Sequence, residues 1–285
     1  MSCPDCFKGS TREGIPEGTI ETIAGISTYV AKSPSDEVSP STIIFITDAF
    51  GFNLTNSKLL ADNYALRTGC RVLVPDIIPG GGVPADSLEL MESVTSPVGI
   101  LNLPGQILRV YNGIRMMSRF LPFALRTRNI FPSVLSYARS IRSELPPGGK
   151  LGAAGFCWGG LQTTKLSAES AVEDGEAPLL DAHFTAHPAG IKIPDEFVSA
   201  ATKFHVPISV AVGDKDSVLP KDSAEELKLG LEGKFDKDRG QFEVVIYSDC
   251  GHGFAVRADP KKTVENKAAD EAAQQAVDWF RKHLL

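Results

Sequence analysis

The residues best suited to chemistry lie in Leu151–Gly160, LGAAGFCWGG, where a short apolar run ends in a glycine, a cysteine and two further glycines. G-x-nucleophile-x-G is the pattern of a sharp strand-to-helix elbow, here with a thiol where serine is commoner. The nucleophile of such an elbow sits on a tight, strained turn, so Gly155 and Gly159, flanking Cys157, must lack a Cβ. The helix that follows aims its first N–H groups at the sulfur, and a helix N-terminus favours the thiolate. A core cysteine beside a glycine-rich turn would look the same locally, so the reading depends on partners elsewhere in the chain.

Two stretches supply them. Gly213–Pro220, GDKDSVLP, offers Asp214 and Asp216. The G-x-x-D spacing with a nearby proline selects Asp216 and leaves Asp214 as a solvated turn residue. Gly251-His252-Gly253-Phe254 follows, with a glycine on each side of the histidine to let its loop bring the ring over the sulfur. Nucleophile, acid and histidine in that chain order are the arrangement of α/β-hydrolases. In it the histidine takes the thiol proton, and the carboxylate fixes the imidazole tautomer and steadies the imidazolium.

These groups need a scaffold that ends several strands at one place. Thr19–Ala31 alternates around a central glycine and predicts a hairpin. Thr42–Thr47 and Arg71–Asp76 are continuous β-branched runs, the mark of strands covered on both faces, with a helix over Asn56–Thr68 closed by Gly69 between them. Further strands are expected at Ala182–Ala186, Val206–Gly213 and Phe242–Tyr247, and helices at Pro132–Leu145 and over the chain end from Val264 to Leu284. The fold class that follows is α/β: a mostly parallel, doubly wound sheet with helices on both faces. One domain over residues 1–285 is expected, with an irregular strap at 1–18. An excursion over 80–132, with helical pieces near Asp86–Glu92 and Pro104–Phe120, reads as a helical cap-like insertion over the carboxyl ends of the strands, where open α/β sheets bind ligands.

Composition bounds the function. The chain is 42% hydrophobic and 22% charged, as ordinary globular proteins are. A net charge of −6 and the absence of a basic stripe argue against nucleic acid. With no apolar run of spanning length and no basic-then-apolar leader, no membrane partner and a cytoplasmic location are expected. Five cysteines, Cys3, Cys6, Cys70, Cys157 and Cys250, do not form a disulfide scaffold, and Cys3-x-x-Cys6 has no second pair to complete a zinc site. His183 and His187 are four apart but fall on a strand and the turn after it, with no acidic third ligand, so no metal is expected. His205 and His283 carry no signal.

Taken together, GFCWGG, GDKDSVLP and GHGFAVR, preceded by TDAFG after the first buried strand, resemble the dienelactone hydrolase family, and in its fungal branch. The resemblance runs from about residue 20 to the end. It implies a cofactor-free α/β-hydrolase fold enzyme that opens a small lactone or carboxylic ester through a Cys157–His252–Asp216 triad and a thioester acyl-enzyme. Mechanics and resemblance agree on the oxyanion donors: the backbone N–H of Trp158 and that of Ala49. Bacterial members carry glutamate where Asp48 stands, and it contacts the resting thiol; they also hold a substrate carboxylate with arginine four residues after the histidine. Here that position is Val256 and Arg257 comes next, so Asp48 and Arg257 are candidate substrate-binding residues, with Phe50, Phe52 and Phe254 as candidate pocket walls. A second family arginine has no match in the lengthened 80–130 excursion. The rival readings are a non-catalytic protein of this fold, and a redox sensor in which Cys250 resolves an oxidised Cys157. Oligomeric state is left open between monomer and homodimer.

Overall fold

A computed structural model describes residues 14–31, 39–88, 90, 94, 99, 102–235, 240–259 and 262–285. Cys3, Cys6 and most of the expected strap lie outside the described residues, as do Glu89, Met91 and Glu92 of the expected helix at Asp86–Glu92, of which Ser87, Leu88 and Leu90 are helical. Eight strands form one sheet: β1 (Thr19–Ile23), β2 (Ile26–Ala31), β3 (Thr42–Ile46), β4 (Arg71–Pro75), β5 (Leu151–Phe156), β6 (Ala182–Ala186), β7 (Ile208–Gly213) and β8 (Phe242–Tyr247). Their spatial order is β1-β2-β4-β3-β5-β6-β7-β8. The β1–β2 hairpin and the β2–β4 pairing are antiparallel, and every other pairing is parallel.

The apolar runs of the sheet divide with the period of the pleat. Ile43 and Phe45 of β3 face one layer, where α1 (Thr55–Thr68) contributes Leu60 and Tyr64. Ile44 and Ile46 face the opposite layer. The helices of the described residues, after α1, are α2 (Leu103–Thr127), α3 (Phe131–Ser143), α4 (Trp158–Ser167), α5 (Asp195–Lys203), α6 (Lys221–Glu232), the single turn α7 (Phe254–Arg257) and α8 (Thr263–Leu284). Ala276, Phe280 and Leu284 of α8 join α1 on the first face; Val134, Ala138 and Ile141 of α3 fill the second. Phe197 of α5 and Leu227 and Leu231 of α6 cover β7. Both faces are buried, so the strands are continuously apolar rather than alternating. This is the α/β-hydrolase arrangement, with the carboxyl ends of β3, β5, β6, β7 and β8 at one edge of the sheet.

The excursion differs from its expected form. Its main helix does not stop near Phe120 but continues through Pro122 to Thr127. Proline removes one intrahelical donor and normally ends such a run. Here Pro122 is exposed, while Met116, Phe123 and Thr127 are buried on the body, and that packing carries the helix past it. No helix of the described residues is long and apolar enough to cross a membrane.

Candidate active site

The elbow follows from close packing. Cys157, directly after β5, adopts φ 53° and ψ −116°, a left-handed φ that a non-glycine residue holds only under constraint. A Cβ on Gly155 would lie 2.1 Å from Thr163 Oγ1, and one on Gly159 would lie 2.2 Å from the carbonyl oxygen of Ile46. The glycines therefore let α4 start against the ends of β3 and β5. The Cys157 N–H donates to the carbonyl of Ala186 (3.2 Å), and its own carbonyl accepts from Gly160 (2.9 Å) and Ala189 (3.1 Å). The thiol is buried, at 6% residue exposure, and forms no disulfide.

The turn after β7 carries Asp216 and the turn after β8 carries His252, both buried. His252 Nδ1 lies 2.9 Å from Asp216 Oδ2 and 3.1 Å from Oδ1. Oδ1 also accepts the backbone N–H groups of Val218 (2.8 Å) and Leu219 (3.0 Å), so the carboxylate is held from two sides. A carboxylate only accepts, which puts the ring proton on Nδ1 and leaves Nε2 as the basic atom. Nε2 is buried, and the ring interacts with the Cys157 side chain. Burial works against a charged imidazole here. The charge of Cys157 and the side-chain hydrogen bonds the ring makes to Asp216 and with Cys157 outweigh it and push the His252 pKa up to about 10. Asp214 lies on the same turn, half-buried, and its backbone N–H donates to Tyr247; it does not meet His252.

Asp48, after β3, is wholly buried. Its Oδ1 accepts the Phe50 N–H (3.0 Å) and its Oδ2 accepts Arg257 Nε–H (2.8 Å). Burial raises the Asp48 carboxyl; Arg257 pulls it down and the charge of Cys157 raises it further, leaving it above the ordinary range. Asp48 is thus within electrostatic reach of the sulfur. Arg257, the candidate ligand for a substrate carboxylate, lies against Asp48 in the structure. Gly253, at φ 91°, opens the turn of α7, which folds the guanidinium inward to full burial against Asp48 and over the Phe50 ring (4.9 Å). Phe50, Phe52 and Phe254, candidate pocket walls or core side chains from the sequence, are buried in the core cluster on the first face of the sheet. Trp158 is half-buried, and its ring meets Phe123 of α2 edge-on at 5.8 Å, which brings α2 to the residue after Cys157.

The two expected oxyanion donors sit on the facing ends of β3 and β5. Trp158 is the first residue of α4, where an N–H has no intrahelical acceptor. In the β3 loop, Phe50 and Gly51 use their N–H groups on Asp48, and Ala49 does not.

Sequence reasoning passed over one residue of this site. His187, set aside there as structural, is wholly buried directly after β6 at φ 41°. Its ring lies 4.9 Å from that of His252, edge to face, and both its nitrogens lack a partner. Burial, then the charges of His252 and Arg257, hold it neutral, well below the ordinary histidine range. A signal existed in its place: a histidine closing the strand next to the elbow strand lands beside the elbow. His183, by contrast, is spent on Ser167 (3.0 Å) and Thr163 (2.9 Å). Among the described residues no group of histidine, cysteine and acidic side chains is placed to hold a metal ion.

The sequence profile of the Dienelactone hydrolase family matches residues 26–284. Among curated proteins, hydrolase pyvD of Aspergillus violaceofuscus is 29% identical over 282 residues, covering 98% of this chain and 96% of its own. Dienlactone hydrolase 1 of Gibberella moniliformis is 25% identical over 280 residues, covering 96% and 91%. The fold likeness extends to a solved structure from Klebsiella pneumoniae, with a TM-score of 0.61 at 19% identity over 92% of this chain and 96% of that one.

Proposed function

We propose, for a chain that belongs to the dienelactone hydrolase family and is thereby a hydrolase of esters or lactones, that Cys157 is the nucleophile of a Cys157–His252–Asp216 triad. The observation that supports this is one buried histidine whose Nδ1 is held on a buried carboxylate and whose ring interacts with the elbow thiol. The thiol proton passes to His252 Nε2 as Sγ attacks the acyl carbon. Charge gathers on the former carbonyl oxygen, and the N–H groups of Ala49 and Trp158 stabilise it. Collapse of this intermediate expels the alkoxide, which takes the proton back from His252 and leaves a thioester on Cys157. Water then attacks the thioester with His252 again as base, releasing the acid and restoring the thiol. In a lactone the leaving oxygen stays tethered, so one hydroxy acid is the product.

Asp48 and Arg257 act in this reading through position. A bare carboxylate beside the sulfur would oppose thiolate formation; paired with Arg257 it is close to neutral as a unit. Phe50 and Phe254 hold the loops that carry Ala49 and His252.

Rapid mixing with a p-nitrophenyl ester tests the reading. A burst of nitrophenolate equal to the enzyme concentration is expected, with an acyl group found by mass on the peptide containing Cys157, and Cys157→Ala should lose both. A Cys157→Ala enzyme that keeps most of its turnover rules the mechanism out.

A further inference from the structure

Helix α2 is apolar on the side that faces away from the protein. Leu103, Ile107, Val110, Ile114, Met117, Leu121 and Leu125 recur every three or four residues, one stripe of a helix, and each is 47–70% exposed. The stripe runs roughly 33 Å along the axis at 1.5 Å per residue. The opposite side, with Asn112, Met116, Phe123 and Thr127, is the one buried on the body. Folded monomers rarely leave a contiguous apolar surface of this extent without a use for it.

Charge decides what covers it. Residues 103–128 contain five arginines and not one Asp or Glu. Arg119 is paired with Asp86 (2.9 Å), and Arg126 donates to the carbonyls of Gly80 (3.3 Å) and Gly81 (3.4 Å). Arg109, Arg115 and Arg128 are exposed and make no ion pair among the described residues. A second copy laid face to face would set these cations against their own kind with no carboxylate on either helix to offset them. The surface is also a convex ridge rather than a groove shaped for a peptide. An apolar stripe flanked by arginines is the composition of a helix that lies in the plane of a bilayer interface, its apolar side among acyl chains and its cations at anionic headgroups. The chain as a whole carries −6, whereas this segment has five arginines and no acidic residue, a local excess of positive charge that would orient it toward a negative surface.

We propose that α2 docks this hydrolase on an anionic phospholipid surface. The inner side of the same helix packs Phe123 on Trp158, next to Cys157, so docking sets the nucleophile near the lipid. The absence of a spanning run does not bear on a surface-lying helix, which needs periodicity instead of an unbroken apolar run.

Flotation with phosphatidylcholine vesicles, with and without phosphatidylserine, tests this independently of catalysis. Binding to the phosphatidylserine vesicles that weakens as salt rises is expected. Ile107→Glu/Ile114→Glu/Leu121→Glu should abolish it. Arg109→Gln/Arg115→Gln/Arg128→Gln should weaken it about fivefold per arginine. Thermal melts matching wild type establish that either variant is folded. Failure of wild type to float, equal binding to vesicles lacking phosphatidylserine, or a solution dimer that the glutamate variant converts to monomer would each overturn the proposal, the last in favour of a second copy.

Discussion

Replacing Arg257 by methionine separates two roles that the sequence alone leaves open. The pair with Asp48 is 2.8 Å long, and its side chains are 0% and 1% exposed. Two unit charges at about 3 Å attract by roughly 5–6 kcal/mol at an effective dielectric near 20, against which both desolvation costs stand. Removing one partner leaves the other buried, and such truncations cost about 3–5 kcal/mol, a large share of the roughly 5–15 kcal/mol that folds a domain. Asp48 keeps the Phe50 N–H, but loses the neighbour that most lowers its proton affinity. Its pKa, already raised by burial, rises further in the variant. A group with a raised folded pKa contributes stability that is present at low pH and lost as pH rises through the folded value. The Arg257→Met protein should therefore be most damaged at neutral and alkaline pH and recover part of the loss toward acid. Urea unfolding followed by circular dichroism at several pH values measures this, and adding Asp48→Asn should restore most of the stability and flatten the profile. Kinetics supply the second arm: as counterion to Asp48, Arg257→Met lowers turnover of a carboxylate-bearing lactone and of its methyl ester alike. A loss under about 1 kcal/mol, with KM raised for the acid alone, would refute the structural role and return Arg257 to the substrate.

Two further outcomes follow from the site. Asp216→Asn should lower kcat by on the order of 10⁴, because an amide no longer holds the Nδ1–H tautomer, while Asp214→Asn changes little; reversed effects in a steady-state ester assay would reject the assignment. His187 is buried neutral, so its contribution to stability is present above its unfolded pKa near 6.5 and is lost as pH falls below it. His187→Phe, which keeps a ring against Phe156, His252 and Phe254, should lose about 2 kcal/mol less than wild type in urea melts between about pH 7 and pH 5. Equal losses would mean that His187 takes up its proton in the folded state.

What could be read from the chain depended on whether the cause was local. The elbow is legible because the collisions that forbid a Cβ at Gly155 and Gly159 arise within one turn and the strand beside it, so the constraint is written as two glycines around one cysteine. The buried strands are legible for a similar reason, since coverage on both faces leaves β-branched runs without alternation. Asp48 and Arg257 are 209 residues apart, and nothing in either neighbourhood says that a one-turn helix will carry the guanidinium inward. Arginine five residues past His252 reads as a candidate ligand for substrate, and its pairing with Asp48 has no local signal. Helices α5 and α6 were not anticipated because their apolar positions are few: Phe197 and Ala201 in one, Ala224, Leu227 and Leu231 in the other, among charged residues. α2 presents the reverse case. Its stripe was visible in the spacing from Leu103 to Leu125, but an apolar stripe ordinarily marks the side a helix buries. The body takes the opposite side, because Phe123 and Met116 have Trp158 and the core to pack on while the leucines and isoleucines of the stripe do not. Periodicity identifies that a helix has an apolar face; only tertiary packing decides whether the protein or something outside it covers that face.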